Sequence, residues 1–267
     1  VRRVKITAVE AFPLSCAVPE DQQVSLGIGR TVKRDAVLVK ITTDEGLVGW
    51  GEAHAGRAPT VIAELISSTL APTLLGQAAD EIDALWARMY RLQLASHGTG
   101  AAAALAVSGI DMALWDLRGK VAGVPLYALL GGERRALRAY AGGISFGYGP
   151  LGALLDEAAR ARDAGYRALK LRLGLEVEED VKRVAAVRVA LGDAFDLLTD
   201  ANCNYSLSQG QQARVALDEL AVGWLEEPFP AQDFRLWRAL APVGRTPLAA
   251  GENHYLCADF ERMADDG

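Results

Sequence analysis

The sequence predicts an α/β protein in which an α+β domain precedes part of a (β/α) barrel. Alternating apolar and polar residues near the amino terminus are typical of hairpin strands, as in VRRVKITAVEAFPL. The next segments carry apolar residues at spacings of three and four, which indicates helices. From Leu137 onward, strand and helix patterns alternate, as expected for parallel strands joined by right-handed crossovers.

We assign residues 1–130 to the first domain. Its second strand segment, DAVLVKITTDEGLVGWGEA, contains the turn TTDEG between two alternating runs, and residues 15–30 form a polar loop before it. Helices are predicted in APTVIAELISSTLAPTLL, DEIDALWARMYRLQLA and GAAAALAVSGIDMALWDLRGKVAG. A sheet followed by helices is an α+β arrangement.

The second domain, residues 131–267, is predicted to hold five barrel strands. They lie in LRAYAGGIS, YRALKLRLG, FDLLTDAN, VGWLEEP and TPLAAGEN. A closed barrel of the TIM type has eight strands, so we expect the barrel in this chain to be incomplete, with more polypeptide covering its open edge. An open doubly wound sheet is the alternative, but acids at successive strand ends fit it less well.

Composition excludes several classes of function. The formal net charge is −6 and the basic residues are scattered, which argues against a nucleic-acid surface. The apolar stretches are too interrupted for a membrane span, and no signal peptide is visible. Cys16, Cys203 and Cys257 are odd in number and widely spaced, which indicates free thiols in a reducing compartment. We therefore expect a globular cytoplasmic protein without a membrane or nucleic-acid partner.

Three acidic residues follow the predicted strands at equal intervals of 26 residues: Asp200, Glu226 and Glu252. This interval is about one strand plus one helix of a (β/α) barrel, whose strands all end on one face. Ligands that are all oxygen select Mg²⁺, Mn²⁺ or Ca²⁺ over zinc, and three carboxylates with open positions suit Mg²⁺. Capping of the following helices by each acid is the alternative, and it accounts less well for three acids in phase.

The chain resembles the enolase superfamily, and within it the mandelate racemase subgroup of the mandelate racemase and muconate lactonising enzyme family. The motifs that carry the resemblance are GxxGWGEA (residues 46–53), SGIDMALWDLRGK (108–120), KLR (170–172), DAN (200–202), WLEEP (224–228) and GEN (251–253). The resemblance implies a TIM-type barrel with an α+β capping domain, and Mg²⁺ held by Asp200, Glu226 and Glu252. It also implies abstraction of the α-proton of a carboxylate substrate through an enediolate, in a protein that forms homo-oligomers.

Lys170 and Arg172 are the candidate catalytic residues. They lie two apart on one strand, so both side chains project to the same face. The family pattern here is Lys-x-Lys, with the second Lys as base, and this chain has Arg instead. Because the pKa of an arginine lies above about 12, Arg172 is better suited to clamping substrate oxygens, or to lowering the pKa of Lys170, than to accepting a proton. The base is then Lys170 or another residue.

The His-Asp base that the family carries on its seventh and sixth barrel strands has no counterpart among the histidines of this chain, His54, His97 and His254. One strong base disfavours racemisation, which needs two opposed bases, whereas a dehydratase can use one residue as base and then as acid. We therefore expect a Mg²⁺-dependent lyase that dehydrates an acid sugar. A racemase or epimerase, a lactone cycloisomerase, and a non-catalytic fragment or pseudoenzyme are the alternatives.

The family also implies two substrate-covering loops, here about residues 17–32 and 53–60. Their polar side chains include Gln23, His54 and Arg57, which are candidate substrate-binding residues. Asn202 is a further candidate, with local turn bonding as the alternative. Glu227 is predicted to face away from the site because neighbouring strand residues point to opposite sides. Whether His254 lines the site or begins the next helix stays open.

Overall fold

The computed structural model of the chain describes residues 4–96, 98, 100–142 and 146–266. The chain divides into two compact units, one of Val1–Ala17 and Lys33–Ala136, the other of Val18–Val32 and Leu137–Gly267. The sequence-based boundary at residue 130 had placed the loop of residues 18–32 in the first domain. The structure places this loop in the second unit, where the backbone N–H of Tyr148 donates to the carbonyl of Ser25 over 2.9 Å.

The strands of the described residues are β1 (Ile6–Ala17), β2 (Ser25–Leu26), β3 (Gly29–Arg30), β4 (Lys33–Thr43), β5 (Val48–Ala53), β6 (Ala168–Arg172), β7 (Asp196–Asp200), β8 (Leu225–Glu226) and β9 (Leu248–Ala249). The α-helices are α1 (Pro59–Glu64), α2 (Ile82–Met89), α3 (Ala101–Ala122), α4 (Leu126–Leu129), α5 (Leu151–Asp163), α6 (Val177–Leu191), α7 (Leu207–Asp218), α8 (Phe234–Leu240) and α9 (Cys257–Asp266). Each of these helices is too short or too polar to cross a membrane.

The first unit is built on an antiparallel sheet in the order β1-β4-β5. Val37, Val39 and Ile41 alternate along β4 and are fully buried, as the sequence pattern predicted. The turn TTDEG joins β4 to β5, and the carbonyl of Leu47 accepts a hydrogen bond from the N–H of Thr43 over 3.0 Å. The buried face of this sheet packs on α1 and α3, and α2 packs on α3 as part of the same apolar core.

Two glycines of β5 allow α3 to lie directly on the sheet. A Cβ atom at Gly51 would stand 2.1 Å from the carbonyl oxygen of Gly109 in α3, and one at Gly49 would stand 2.2 Å from that of Ala113. Real Cβ atoms are not found so close to another heavy atom. The Gly-Trp-Gly sequence of β5 is therefore a packing requirement of this helix and strand pair.

The second unit is an open parallel sheet in the order β6-β7-β8-β9, with a helix following each strand. Strand β8 and strand β9 contain two residues each. The predicted first barrel strand, LRAYAGGIS, does not form an extended strand in its described part. Ala141 makes a single parallel bridge to Leu169, and residues 143–145 lie outside the described residues.

Two buried arginines, 26 residues apart, hold the end of this sheet where the strands begin. Arg188 of α6 donates to the carbonyls of Leu220, Gly192, Phe195 and Ala221. Arg214 of α7 donates in the same way to the carbonyls of Thr246, Leu240 and Ala241. Each guanidinium therefore ties its own helix to the loop that follows the next helix.

Candidate active site

The parallel register brings charged residues of three neighbouring strands together at the carboxyl end of the sheet. Arg172 at the end of β6 pairs with Asp200 at the end of β7, and Asp200 pairs with Glu226 at the end of β8. Lys170 lies two residues before Arg172 on the same strand, so its side chain projects to the same side. Glu252 is the third residue after the end of β9.

Lys170 and Arg172 form a buried ion-pair network with two of these acids. The Nζ of Lys170 lies 2.8 Å from Oε2 of Glu226 and 3.2 Å from Oδ2 of Asp200. Nη1 of Arg172 donates to Oδ2 of Asp200, and to Oδ1 of Asn202 over 3.3 Å. The Asp200 side chain is fully buried. The four charged groups therefore share one small region, where their interactions are only weakly screened by water.

The ammonium of Lys170 is held in its charged form. Burial disfavours that form, but the hydrogen bond to Glu226 and the charges of Asp200 and Glu226 outweigh burial and raise the pKa of Lys170. The Tyr140 ring adds to this environment, because Lys170 Nζ lies 5.8 Å from its centroid. The two carboxylates therefore keep Lys170 protonated, although the charge of Arg172 acts in the opposite direction.

Asn202 makes the local turn contact that was the alternative to substrate binding, and its role in binding a substrate stays a prediction. Its backbone N–H donates to Oδ1 of Asp200 over 2.9 Å, which is local turn bonding. Its side-chain oxygen accepts from Arg172 in the buried network. Asn202 therefore links the loop after β7 to the cationic side chain on β6.

Glu227 does not face away from the site, contrary to the expectation from strand alternation. Its backbone has a positive φ of 40°, so the regular alternation of side chains ends at Glu226. Oε2 of Glu227 accepts from Nδ2 of Asn253 over 2.8 Å and from Sγ of Cys203 over 3.4 Å. The pKa of Glu227 is raised by burial first, and further by the charges of Asp200 and Glu226. Glu227 is thus a further acid of the same cluster.

The pKa of Glu252 is also raised. Partial loss of water around the carboxylate is the largest cause, and the neighbouring charges of Glu227, Asp200 and Glu226 add to it. Negative charge in this region therefore exceeds the positive charge of Lys170 and Arg172. Acids in such surroundings are stabilised by an added cation.

The donor set fits a hard divalent cation. The available ligand atoms are carboxylate and amide oxygens, which Mg²⁺ prefers, and the acids outnumber the cationic side chains. In the described part of the chain, no three His, Cys, Asp or Glu side chains stand in positions to share one ion. Asp200 and Glu226 instead hold Lys170, so the assignment of Asp200, Glu226 and Glu252 as metal ligands stays a prediction.

The predicted substrate-binding residues of the two loops make local contacts. Gln23 donates from Nε2 to the carbonyl of Val18 over 2.9 Å within its own loop. In the first unit, Nδ1 of His54 accepts from the backbone N–H of Gly56 over 3.2 Å. Arg57 has a positive φ of 63°, and its carbonyl accepts from Lys33 over 3.0 Å. The role of these three residues in binding a substrate therefore stays a prediction.

Among the described residues, neither His54 nor His254 forms a hydrogen bond with the charged residues at the strand ends. His97 lies outside those residues. His254 does not begin α9, which starts at Cys257. Its ring is buried between Phe234 and Phe260, at centroid distances of 6.2 and 5.7 Å, and neither nitrogen has a hydrogen-bond partner among the described residues.

Sequence reasoning missed two side chains that support the network. Trp224 donates from Nε1 to Oε2 of Glu226 over 3.1 Å, and its spacing of two from Glu226 is the signal that could have shown this. Asp180 is fully buried, and its Oδ2 accepts from the N–H groups of Gly174 and Leu175 and from the hydroxyl of Tyr205. Asp180 thus anchors the loop after β6, although its sequence, EVEEDV, resembles an exposed acidic helix start.

Two segments of the chain match models of known protein families. Residues 9–131 match "Mandelate racemase / muconate lactonizing enzyme, N-terminal domain", and residues 153–267 match "Enolase C-terminal domain-like". Among solved structures, a member of the enolase superfamily from Polaromonas sp. JS666 has a TM-score of 0.95 and 50% identity, and the match covers 98% of this chain and 69% of that one. A racemase from Streptomyces coelicolor A3(2) with bound magnesium has a TM-score of 0.90 and 31% identity, covering 98% and 73%.

The curated relatives are enzymes of sugar-acid metabolism by name. An arabinonate dehydratase of Saccharolobus solfataricus is 34% identical, over 85% of this chain and 61% of its own length. A 3,6-anhydro-alpha-L-galactonate cycloisomerase of Streptomyces coelicolor is 35% identical, over 90% of this chain and 66% of its own length. The chain thus spans between three fifths and two thirds of the length of these relatives.

Proposed function

Because the chain belongs to the mandelate racemase and muconate lactonizing enzyme family of the enolase superfamily, we propose that it is part of a Mg²⁺-dependent carbon–oxygen lyase that dehydrates an acid sugar. The observation that carries this proposal is the meeting of Lys170, Arg172, Asp200 and Glu226 at the ends of three neighbouring strands. Relatives named as dehydratases of arabinonate, galactonate and galactarate support the substrate class.

In this proposal Asp200, Glu226 and Glu252 hold the cation. Bound there, Mg²⁺ would supply positive charge beside the substrate carboxylate, which favours the charge that develops when the α-proton leaves. The cation would also compete with Lys170 for Asp200 and Glu226. Lys170 Nζ lies 3.2 Å from an oxygen of Asp200 and 2.8 Å from an oxygen of Glu226. Lys170 would then lose the partners that now keep it protonated.

Lys170 is the base that we assign to the α-proton. Arg172 carries a planar fork of N–H donors, with which it binds a carboxylate or hydroxyl oxygen of the substrate. Lys170 takes the α-proton to give an enediolate and then returns it to the β-hydroxyl, which leaves as water. The C–H and C–O bonds break, and the enol that remains tautomerises to a 2-keto-3-deoxy acid.

A cycloisomerase is the second candidate, because two relatives of similar identity carry that name. They are the 3,6-anhydro-alpha-L-galactonate cycloisomerase and a D-galactarolactone cycloisomerase of Agrobacterium fabrum, 34% identical. The same base would remove an α-proton, but a ring or lactone oxygen would leave in place of water. A racemase would need a second base on the opposite face of the substrate.

The test is incubation of the protein with Mg²⁺ and a panel of acid sugars in D₂O. The proposal expects a 2-keto acid, detected as its semicarbazone, together with loss of water. Lys170→Met should abolish product formation, while Lys182→Met is the matched control, because Lys182 is an exposed lysine of α6 paired with Glu178 and Glu179. Isomerisation without a 2-keto acid would favour the cycloisomerase, and no reaction with any acid would contradict both.

Metal binding is tested separately by calorimetric titration with Mg²⁺. Glu226→Gln removes one charge and one ligand oxygen, so we expect the affinity to fall by about tenfold or more. An unchanged affinity in this variant would contradict the ligand assignment whatever the activity.

A further inference from the structure

Glu227 contacts each of the segments that carry the proposed metal ligands. Its backbone N–H donates to the carbonyl of Ala249 in β9 over 2.9 Å, and its carbonyl accepts from the N–H of Cys203 over 2.7 Å. Its side chain accepts from Cys203 and from Asn253, the residue after Glu252. One residue thus joins the ends of β7, β8 and β9.

The backbone around this junction is unusual for residues other than glycine. Asn202, Cys203 and Glu227 have φ angles of 45°, 63° and 40°. Left-handed conformations of such residues are strained and persist only where the surroundings enforce them. Glu227 contacts Cys203 through both its backbone carbonyl and its carboxylate, so it is one of the residues that hold this backbone in place.

The Glu227 side chain is fully buried, and only one of its two carboxylate oxygens accepts hydrogen bonds among the described residues. Oε2 accepts both side-chain hydrogen bonds, while Oε1 has no partner within the part of the chain that the structure describes. A buried acceptor without a donor is costly, and an apolar residue would avoid that cost. The placement of the side chain is therefore better explained by what it holds than by stability alone.

We propose that Glu227 is a positioning residue, which sets the spacing of Asp200, Glu226 and Glu252 for a divalent cation by joining the loops after β7 and β9 to the end of β8. This inference rests on the proposed function, because it presumes that these three acids bind a metal. In this proposal Glu227 does not bind the cation itself. It acts through its contacts with Cys203 and Asn253.

The test is binding of Mn²⁺, followed by its electron paramagnetic resonance signal, to the purified protein and its variants. Asn253→Ala removes the main donor to Glu227 but leaves every carboxylate in place, so we expect Mn²⁺ affinity to fall several-fold. Glu227→Ala should lower it by about tenfold or more, the range typical of residues that orient metal ligands. Cys203→Ser keeps a donor at its position and should stay within about twofold of the unchanged protein, since its contact with Glu227 is the longer of the two.

The outcomes distinguish a positioning role of Glu227 from a role as ligand or charge, and both from the absence of a metal site. If Glu227→Ala weakens binding and Asn253→Ala does not, Glu227 acts by charge or as a ligand, and the positioning role is wrong. Unchanged affinity in both variants would also overturn it. If the unchanged protein binds no Mn²⁺, the metal site itself fails, which is a different result from failure of the positioning role alone. Thermal unfolding of each variant, followed by circular dichroism, distinguishes a lost site from a lost fold.

Discussion

Arg188 provides a strict test of how the second unit is held together. Its guanidinium donates four hydrogen bonds to backbone carbonyls, at 3.1 Å to Leu220, 3.0 Å to Gly192, 2.5 Å to Phe195 and 3.1 Å to Ala221. The side chain is buried, and burial lowers the pKa of Arg188 while the charge of Asp193 raises it. Replacement of Arg188 by methionine keeps most of the apolar stem and removes all four donors.

The expected cost follows from the carbonyls that lose their donors. The bond to the Phe195 carbonyl is buried and the other three are partly buried, so water can replace part of what those three carbonyls lose. An unsatisfied buried carbonyl costs about 1 kcal/mol at the low end of the measured range, and we therefore expect Arg188→Met to lower the free energy of unfolding by about 2 kcal/mol. Arg188→Lys keeps the charge but cannot span four carbonyls with one ammonium, so it should be no better than methionine.

Urea unfolding followed by far-ultraviolet circular dichroism measures this loss, and hydrogen exchange of peptides from α6 and α7 locates it. The matched control is Arg235→Met, because the Arg235 side chain is 93% exposed and its change should stay within about 0.5 kcal/mol. An Arg188→Lys variant within about 1 kcal/mol of the unchanged protein would refute the reasoning, since it would show that charge, and not the fork of donors, stabilises this end of the sheet.

Two further predictions concern stability. Gly51→Ala should lower the midpoint of thermal unfolding by an amount equivalent to about 3 kcal/mol, because its Cβ would meet a carbonyl oxygen of α3 at 2.1 Å. Gly152→Ala is the control, since open space surrounds that position, and a loss of similar size there would contradict the packing argument. Asp218→Asn should destabilise the protein in a pH-dependent way. Burial alone would raise the pKa of Asp218, but hydrogen bonds from Thr246 and the backbone N–H of Arg245 lower it. The stabilisation by Asp218 is therefore complete above its unfolded pKa of about 3.9 and is lost as the pH falls through the lower folded value. Urea unfolding should show the largest difference from the variant at neutral pH and a shrinking one below about pH 4; a difference that is constant with pH would contradict this account.

The regular parts of the fold could be predicted because their signals are local. Alternation along β4 places Val37, Val39 and Ile41 in the core, and the 26-residue interval places Asp200 and Glu226 at paired strand ends. Both patterns depend only on the period of a strand or of a strand and helix unit. The enolase superfamily assignment, made from motifs, is confirmed by the family and structure matches.

The remaining features depend on contacts between distant segments or on backbone angles. Glu227 departs from strand alternation because of its positive φ, which no neighbouring residue type in WLEEP indicates. The ion pairs of Lys170 with Asp200 and Glu226 join three strands, so only the register reveals them. The sequence also offers no local sign that the loop of residues 18–32 packs in the second unit.

That loop matters to anyone who wishes to dissect the protein. Ser25 of its β2–β3 hairpin forms an antiparallel β-bridge with Tyr148. Gly27 packs closely on Asn204, because a Cβ atom at Gly27 would stand 3.2 Å from the Cβ of Asn204. A gene fragment that starts at Leu137 would omit these partners and leave their surface on the second unit bare. The two units are thus interleaved along the gene, and an expression plasmid for the second one must encode the hairpin as well, for example through a circular permutation.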